Sequence, residues 1–309
     1  MQTIKRYKYF AISERDKSWG IYVLNNGSHV LPQNVQYPAR DHPAHHYFRW
    51  SSGRVLQEFQ FFYLVEGEGE FESEKTGLIS IRAGHVIMLF PNVWHRYRPL
   101  KNSSWNTHWV GFDGPFARHL QEAGFINPAK PVIEIGYNEQ IIQLLQKMQD
   151  TGQNELAGYQ QVMSGYLIQV LGHIYAIQHR QPFQNQGYET LMQQAKVILA
   201  QSVEHAIRME TVARQLGIGY SLFRRTFKEY SGLSPGQYLI HLKIERAKEL
   251  LAESHRYIKE IAYQLGFESV SYFTRLFKEK TGFAPSQFRD HFTNEISEPP
   301  ESESSNQAD

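Results

Sequence analysis

The stretch ARQLGIGYSLFRRTFKEYSGLSP occupies residues 213–235, and residues 262–285 nearly repeat it as AYQLGFESVSYFTRLFKEKTGFAP. At an offset of 49, Ala213, Gln215, Leu216 and Gly217 meet Ala262, Gln264, Leu265 and Gly266. A one-residue insertion follows. At an offset of 50, Ser221, Phe223, Arg225, Phe227, Lys228, Glu229, Gly232, Pro235 and Gln237 then meet identical residues. Each copy reads as a short helix closed by glycine, a tight turn and a second helix, which is the grammar of a helix-turn-helix unit.

The second helix of each copy has one face to bury. Phe223 and Phe227 lie one turn apart, so at about 100° per residue Ser221, Arg224, Arg225 and Lys228 fall on the opposite face. Phe273 and Phe277 turn Ser271, Thr274, Arg275 and Lys278 outward by the same logic. An arginine fork pairs with guanine O6 and N7, and Lys, Ser and Thr hold phosphates or reach base edges, so this face suits a DNA major groove. The alternative is an ordinary solvated face of a helical bundle; its duplication in both copies argues against that. Between the copies, Ser234 and Pro235 supply an N-cap and a first-turn proline for a linking helix. Tyr238, Leu242, Ala247, Leu250 and Leu251 are its candidates for burial, and it would hold the two motifs at a fixed separation.

Charge follows the same division. The net charge of +1 hides a segment, 189–292, with 15 Lys and Arg against 11 Asp and Glu, and a stretch, 293–309, with five acids and no base. The 309 residues are 41% hydrophobic and 14% aromatic, enough for two packed domains. The absence of cysteine excludes disulfides and thiolate metal sites. No signal-like start and no long apolar run appears, which leads to the expectation of a cytoplasmic protein without a membrane partner.

Residues 19–135 alternate like strands. In EFQFFYLVEGEGEFES, Phe59, Phe61, Tyr63 and Val65 share one face and Phe62 and Leu64 the other, so the strand must be enclosed on both sides. Several short strands at this spacing suggest a small barrel or sandwich. From 138 onward the apolar period lengthens to three and four, predicting two helices. In the second, Leu156, Tyr159, Val162, Met163, Tyr166, Leu167, Val170, Leu171 and Ile174 form a broad stripe, suited to its own domain or to a partner subunit. The polar QPFQNQGY at 181–188 reads as a linker, and 293–309 as a disordered acidic tail.

The double motif, the ERAKELL of the linking helix and IAYQLGFESVSYFTRLFKEKTGFAPSQFR resemble the DNA-binding domain of the AraC/XylS transcription regulators. The resemblance puts Ser221, Arg224 and Arg225, and Ser271, Thr274 and Arg275, in base-reading positions. GRVLQEFQFFYLVEGEGEF, IRAGHVIMLFPNVWHRY and SSWNTHWVGF resemble, more loosely, the cupin-like barrel of sugar-responsive members. A multidomain fold is therefore expected: a cupin-like effector-binding barrel (1–135), a helical section with possible dimerisation (136–180), the linker, and an all-α domain with two helix-turn-helix motifs (189–292). The family implies an activator of carbohydrate-utilisation genes that acts as a homodimer with RNA polymerase as partner and takes a sugar inducer. Carried over by position, the inducer's pocket is Arg54, Tyr97, Trp105, Thr107 and Trp109. Thr107 stands where the arabinose-responsive members have His. Trp105, Thr107 and Trp109 share one strand face, and two indoles there could equally fill a barrel core.

Two other readings stay open. A metal-dependent cupin enzyme would draw on His42, His45, His46, His85, His95 and His108. Only His95 sits where a cupin ligand is expected, and EFQFFYLV holds no His. No metal, cofactor or catalytic residue is therefore expected. An architectural DNA binder without an inducer would leave the first 180 residues without a task.

Overall fold

The structure, a computed structural model, describes residues 4–33, 49–185, 187–253 and 256–297. The chain divides into two compact units, Met1–Gln181 and Pro182–Asp309.

The first unit holds strands β1 (Ile4–Tyr9), β2 (Tyr22–Leu31), β3 (Arg54–Val55), β4 (Phe59–Ser73), β5 (Gly77–Arg82), β6 (His85–Leu89), β7 (Trp94–Pro99), β8 (Trp105–Asp113) and β9 (Val132–Glu134). Helix α1 (Glu14–Ser18) follows β1 and α2 (Pro115–Glu122) follows β8, while α3 (Glu139–Asn154) and α4 (Tyr159–Asn185) come last. The sheet runs β1-β2-β8-β4-β6-β9. The long β4 organises it. Its first half pairs with β8 and β6, its second half with β5 and β7, and a register shift between Leu64 and Glu66 lies near the change of partners. One strand serving two sets of neighbours curls the sheet round an interior, and such irregularities are where sheets bend.

The two faces of β4 therefore enter two cores, as the alternation in the sequence required. Phe59, Phe61 and Tyr63 pack with Val110 and Phe112 against α3 and α4, through Ile141, Leu145, Met148, Met163, Leu167 and Val170. Phe62 and Leu64 face inward with Phe71, Ile81, Ile87, Leu89, Tyr97 and Trp105. Polar side chains also fasten α4 to the sheet. The amide of Gln160 accepts from Val23 N at 3.2 Å and donates to Val23 O at 3.0 Å, and Ser164 Oγ donates to Ile21 O at 2.8 Å. Both buried side chains thus find partners in the backbone of Ile21 and Val23, where the chain enters β2. Of the expected α4 stripe, Met163, Leu167, Val170, Leu171 and Ile174 are buried in this core, whereas Leu156 and Val162 are exposed.

Three sequence expectations change. Helix α2 was not foreseen, because it is only eight residues long and its apolar side is short: Ala117 is buried and Leu120 packs against the core. Residues 181–185 of the expected linker are the end of α4, since Gln181 and Gln184 are compatible with helix and polarity alone does not stop one. Gly187, at φ 68°, separates α4 from the next helix. The helix that starts at Pro285 continues to Ser297, so 293–297 of the expected tail are helical. Phe288, Phe292 and Ile296 keep a four-residue apolar period across the proposed boundary. The remaining tail lies outside the described residues, as do His42, His45 and His46.

The second unit is helical: α5 (Tyr188–Gln201), α6 (Met209–Gln215), α7 (Tyr220–Ser231), α8 (Pro235–Glu253), α9 (Ile258–Gln264), α10 (Val270–Thr281) and α11 (Pro285–Ser297). It has two cores. Met192, Ala195, Leu199, Val212, Ala213, Phe223, Phe227 and Leu239 form one. Ile244, Ala247, Leu250, Leu251, Ile261, Ala262, Leu265, Phe273 and Phe277 form the other. Helix α8 contributes its start to the first and the rest to the second, so each motif is a packed body and the linking helix belongs to both. Ala247, Leu250 and Leu251 are buried as expected; Tyr238 and Leu242 are only half-buried, and Leu239 and Ile244 take the interior places.

Candidate nucleic-acid interface and effector pocket

The repeat in sequence is a repeat in hydrogen bonds. Helix α6 ends at a turn with Gly217 at φ 68°, and α9 at a turn with Gly266 at φ 67°, a left-handed conformation that glycine adopts without steric cost. Helices α7 and α10 close on Gly232 and Gly282, whose N–H groups donate to Lys228 O and Lys278 O at 2.8 and 2.9 Å. Ser231 Oγ donates to Phe227 O at 2.7 Å, and Thr281 Oγ1 to Phe277 O at 2.8 Å. The repeated glutamines then cap the next helices: Gln237 Oε1 accepts from Ser234 N at 3.0 Å, and Gln287 Oε1 from Ala284 N at 3.1 Å.

Phe223, Phe227, Phe273 and Phe277 are all fully buried. Ser221, Arg224, Arg225 and Lys228 are exposed on α7; Ser271, Arg275 and Lys278 are exposed on α10, with Thr274 half-buried beside them. Among the described residues none of these five cations makes an ion pair, whereas Arg246, Lys248 and Lys280 of the same unit each pair with a glutamate. Arg275 lies 5.6 Å over the Tyr272 ring and remains exposed. The charge of these two helix faces is therefore uncompensated and available to an anion such as DNA phosphate.

A loop missed by sequence reading fixes one motif against the other. Glu204, which follows α5, accepts from Arg246 Nε of α8 at 2.9 Å and from Gln264 Nε2 of α9 at 3.2 Å. Lys243 Nζ donates to His205 O at 3.3 Å and lies 5.4 Å over Phe267; burial lowers its pKa. A Cβ on Gly266 would stand 2.8 Å from Ala206 N. The turn of the second motif thus rests directly on backbone that leads into the first.

In the first unit, the residues carried over for ligand binding are placed unequally. Arg54 Nη2 donates to Tyr97 Oη at 3.0 Å and to Gln60 Oε1 at 3.3 Å, and Arg54 Nε donates to His95 Nε2 at 3.1 Å. That contact makes Nε2 the acceptor, so Nδ1 carries the proton toward Val93 O at 3.0 Å. Burial, and then the Arg54 charge, push the His95 pKa down to about 3, so the ring is neutral. Phe62 links Tyr97, at 4.5 Å between ring centroids, to Trp105, at 6.2 Å. Trp105 is 1% exposed and lies across Gly69, where a Cβ would meet its ring at 2.6 Å. Trp109, half-buried, covers Gly27 in the same way at 2.4 Å. Thr107 is buried between His29 and Leu64. Arg54, Tyr97 and Gln60 thus form a contiguous polar cluster; Trp105 is a core side chain of the interior, and Trp109 lies nearer its edge.

The placement of Arg54 has its own support. Gly53, at φ 62°, passes under the Trp94 ring, and Trp94 Nε1 donates to Ser52 O at 2.7 Å. Arg96 lies between Trp50 and Trp94, at 4.4 and 5.5 Å, and pairs with Glu72. Sequence reading passed over Gln60, although it stands as the one polar residue inside an apolar strand run; the Gly53–Trp94 contact left no signal in spacing. His85, His95 and His108 do not converge. His85 Nδ1 accepts from Arg82 N, His95 is held by Arg54, and His108 takes the face opposite to Thr107 and Trp109. Among the described residues no group of three or more His, Cys, Asp or Glu could hold a metal ion, and no helix is long and apolar enough to cross a membrane.

Comparison with known proteins agrees with both halves. Residues 212–291 match the helix-turn-helix domain model, and residues 34–186 match the AraC-like ligand binding domain model. The chain is a DNA-binding transcription regulator with a ligand-binding domain. It belongs to the AraC/XylS family, whose members regulate transcription and are not enzymes. Curated relatives include a lactose operon transcription activator of Staphylococcus xylosus, 24% identical over 223 residues that span 69% of this chain and 77% of the relative. An Msm operon regulatory protein of Streptococcus mutans is 21% identical, over 71% of this chain and 79% of the relative. The C-terminal domain of the response regulator yesN from Fusobacterium nucleatum is similar at 27% identity, over 33% of this chain and 99% of that one, with a TM-score of 0.32.

Proposed function

We propose that this regulator activates carbohydrate-utilisation genes and is gated by a small sugar-like ligand held in the N-terminal barrel. The observation that carries the reading is the Arg54–Gln60–Tyr97 cluster beside Phe62 and Trp109, inside the unit that matches a ligand-binding domain. Guanidinium, amide and phenol groups satisfy hydroxyls, and an indole covers the apolar face of a pyranose ring, which is the mixture a neutral polar ligand needs. The lactose operon relative supports the same class of ligand. Arg54, Tyr97, Thr107 and Trp109 line the site, with Trp105 as its floor.

On the DNA side, Arg224, Arg225 and Arg275 read base edges, helped by Ser221, Ser271 and Thr274, and Lys228 and Lys278 hold phosphates. The protein works in the cytoplasm as a homodimer that engages RNA polymerase. Gly165, Ile168, Gly172 and Tyr175 recur at three- and four-residue steps on α4, with Ile168 and Tyr175 exposed, which supports a helix-to-helix contact between copies. Ligand shifts the regulator between arrangements only by its differential affinity for them, typically 1–3 kcal/mol or roughly 5- to 150-fold in DNA affinity.

The test pairs calorimetry of the full chain against neutral mono- and disaccharides, lactose included, with DNA affinity measured with and without each binder. Saturable binding of at least one sugar and a change in DNA affinity of fivefold or more are expected. Binding of none, or identical DNA affinity with and without every binder, removes the gating.

A further inference from the structure

Cross-strand register places five residues in one row across the inner face of the sheet. Tyr9 of β1 faces Asn25 of β2, Asn25 faces Gly111 of β8, Gly111 faces Gln60 of β4, and Gln60 faces Leu89 of β6. Directly paired residues point to the same side. Leu89 belongs to the interior cluster, so the whole row looks inward. At about 4.8 Å per strand, Asn25 and Gln60 stand roughly 10 Å apart with only Gly111 between them. The glycine has a reason: a Cβ there would lie 2.3 Å from Asn25 Nδ2, so the Asn25 amide occupies the space a side chain would take. It reaches across β8 toward Gln60, which Arg54 already engages. The row is continuous with that cluster. Tyr9 feels the charges of Arg54 and Glu58, and burial pushes its pKa up to about 12.

Asn25 is the exception in this row. It is 3% exposed, yet among the described residues its Oδ1 has no hydrogen-bond partner. Buried amides are nearly always satisfied, and one left open inside a ligand-binding domain marks a place where something else completes it. We propose that Asn25 is a specificity-determining residue of the effector site, where its amide binds a hydroxyl of a neutral, hydroxyl-rich ligand lying between Asn25 and the Arg54–Gln60–Tyr97 cluster. The proposal rests on the reading of the barrel as the effector site. It adds a contact from β2, a strand that supplies none of the residues carried over by resemblance. The primary amide is both donor and acceptor, as a hydroxyl is, so it selects a hydroxyl over a hydrogen or a methyl at that ligand position.

Two substitutions test it in the full chain. Asn25→Leu keeps nearly the same shape without polar atoms, and Asn25→Ala cannot crowd Gly111 should leucine fail to fold. Melting temperature without ligand, and affinity for the saccharide that wild type binds best, are read for each. The expected result is an unchanged or higher melting temperature for Asn25→Leu and an affinity about tenfold lower for both variants. A fall in the ligand-free melting temperature of about 3 °C or more for Asn25→Leu, with wild-type sugar affinity, makes Asn25 a structural residue and overturns the proposal. If wild type binds no saccharide, the sugar reading fails separately. The melting arm then decides: an unperturbed Asn25→Leu keeps the amide as a ligand group for another hydroxyl compound, and a destabilised one removes it.

Discussion

The two turn glycines make an internal control that the repeat itself supplies. Gly217 and Gly266 occupy the same position in their motifs and share a left-handed backbone, at φ 68° and 67°. Replacing either by alanine costs about 1 kcal/mol for that conformation alone. Their surroundings differ. A Cβ on Gly217 meets nothing within 4 Å, whereas one on Gly266 would stand 2.8 Å from Ala206 N, 2.9 Å from His205 C and 3.2 Å from Ala206 Cα. These are backbone atoms and cannot rotate away, so the loop must move, adding the roughly 1–3 kcal/mol typical of overpacking. Gly217→Ala should therefore cost about 1 kcal/mol and Gly266→Ala about 2–4. Urea unfolding followed by circular dichroism at 222 nm reads the helical unit. All five tryptophans lie within Met1–Gln181, so their fluorescence reports the other unit separately. Moving the loop also disturbs the Glu204 and Lys243 contacts, so Gly266→Ala should lose more DNA affinity than Gly217→Ala. Equal stability losses for the two variants would refute the argument that the second turn is seated on residues 205–206.

His95 gives a pH prediction. It is neutral in the fold with a pKa of about 3, against about 6.5 unfolded, so its contribution is complete above pH 6.5 and is lost as pH falls toward 3. Between pH 7 and pH 5 the loss is about 2 kcal/mol, which tryptophan fluorescence should detect and His95→Gln should flatten; an unchanged slope in the variant would assign the acid sensitivity elsewhere. Glu204→Ala removes partners that are more than a third exposed, so it should cost under about 1 kcal/mol of stability. Its affinity for DNA selected by wild type should nevertheless fall several-fold, because the two motifs lose a tie between them; wild-type affinity would show that α8 alone sets their spacing.

The helical half was legible because its repeat made every position count twice: a buried phenylalanine in one copy located the other, and both outward faces followed from helical period. The alternation of β4 likewise announced a strand between two cores. What escaped depended on contacts between distant residues. Nothing in the spacing tells that Glu204 touches both α8 and α9, or that Asn25 fills the space over Gly111. Local composition misled at 181–185, where a helix already begun continues through a polar stretch that contains Pro182, and at 293–297, where acidic and polar neighbours hid the apolar period that Ile296 carries on. Of the residues carried over by resemblance, the structure joins Arg54 to Tyr97 and packs Trp105 against Phe62 and Gly69, contacts that no spacing in the sequence announces.

The claim that the twin basic helices read DNA together is tested most directly by selecting bound duplexes from a random pool with the full chain, then measuring Arg275→Ala and Lys278→Ala on the selected and on random DNA across salt concentrations. The account predicts two sequence elements about 10 base pairs apart, centre to centre. Arg275→Ala should erase preference in one element, a loss of about 1–3 kcal/mol on selected DNA with little change on random DNA. Lys278→Ala should weaken both alike and lower the salt slope by about one. A single element, or equal losses for Arg275→Ala on both DNAs, would contradict it.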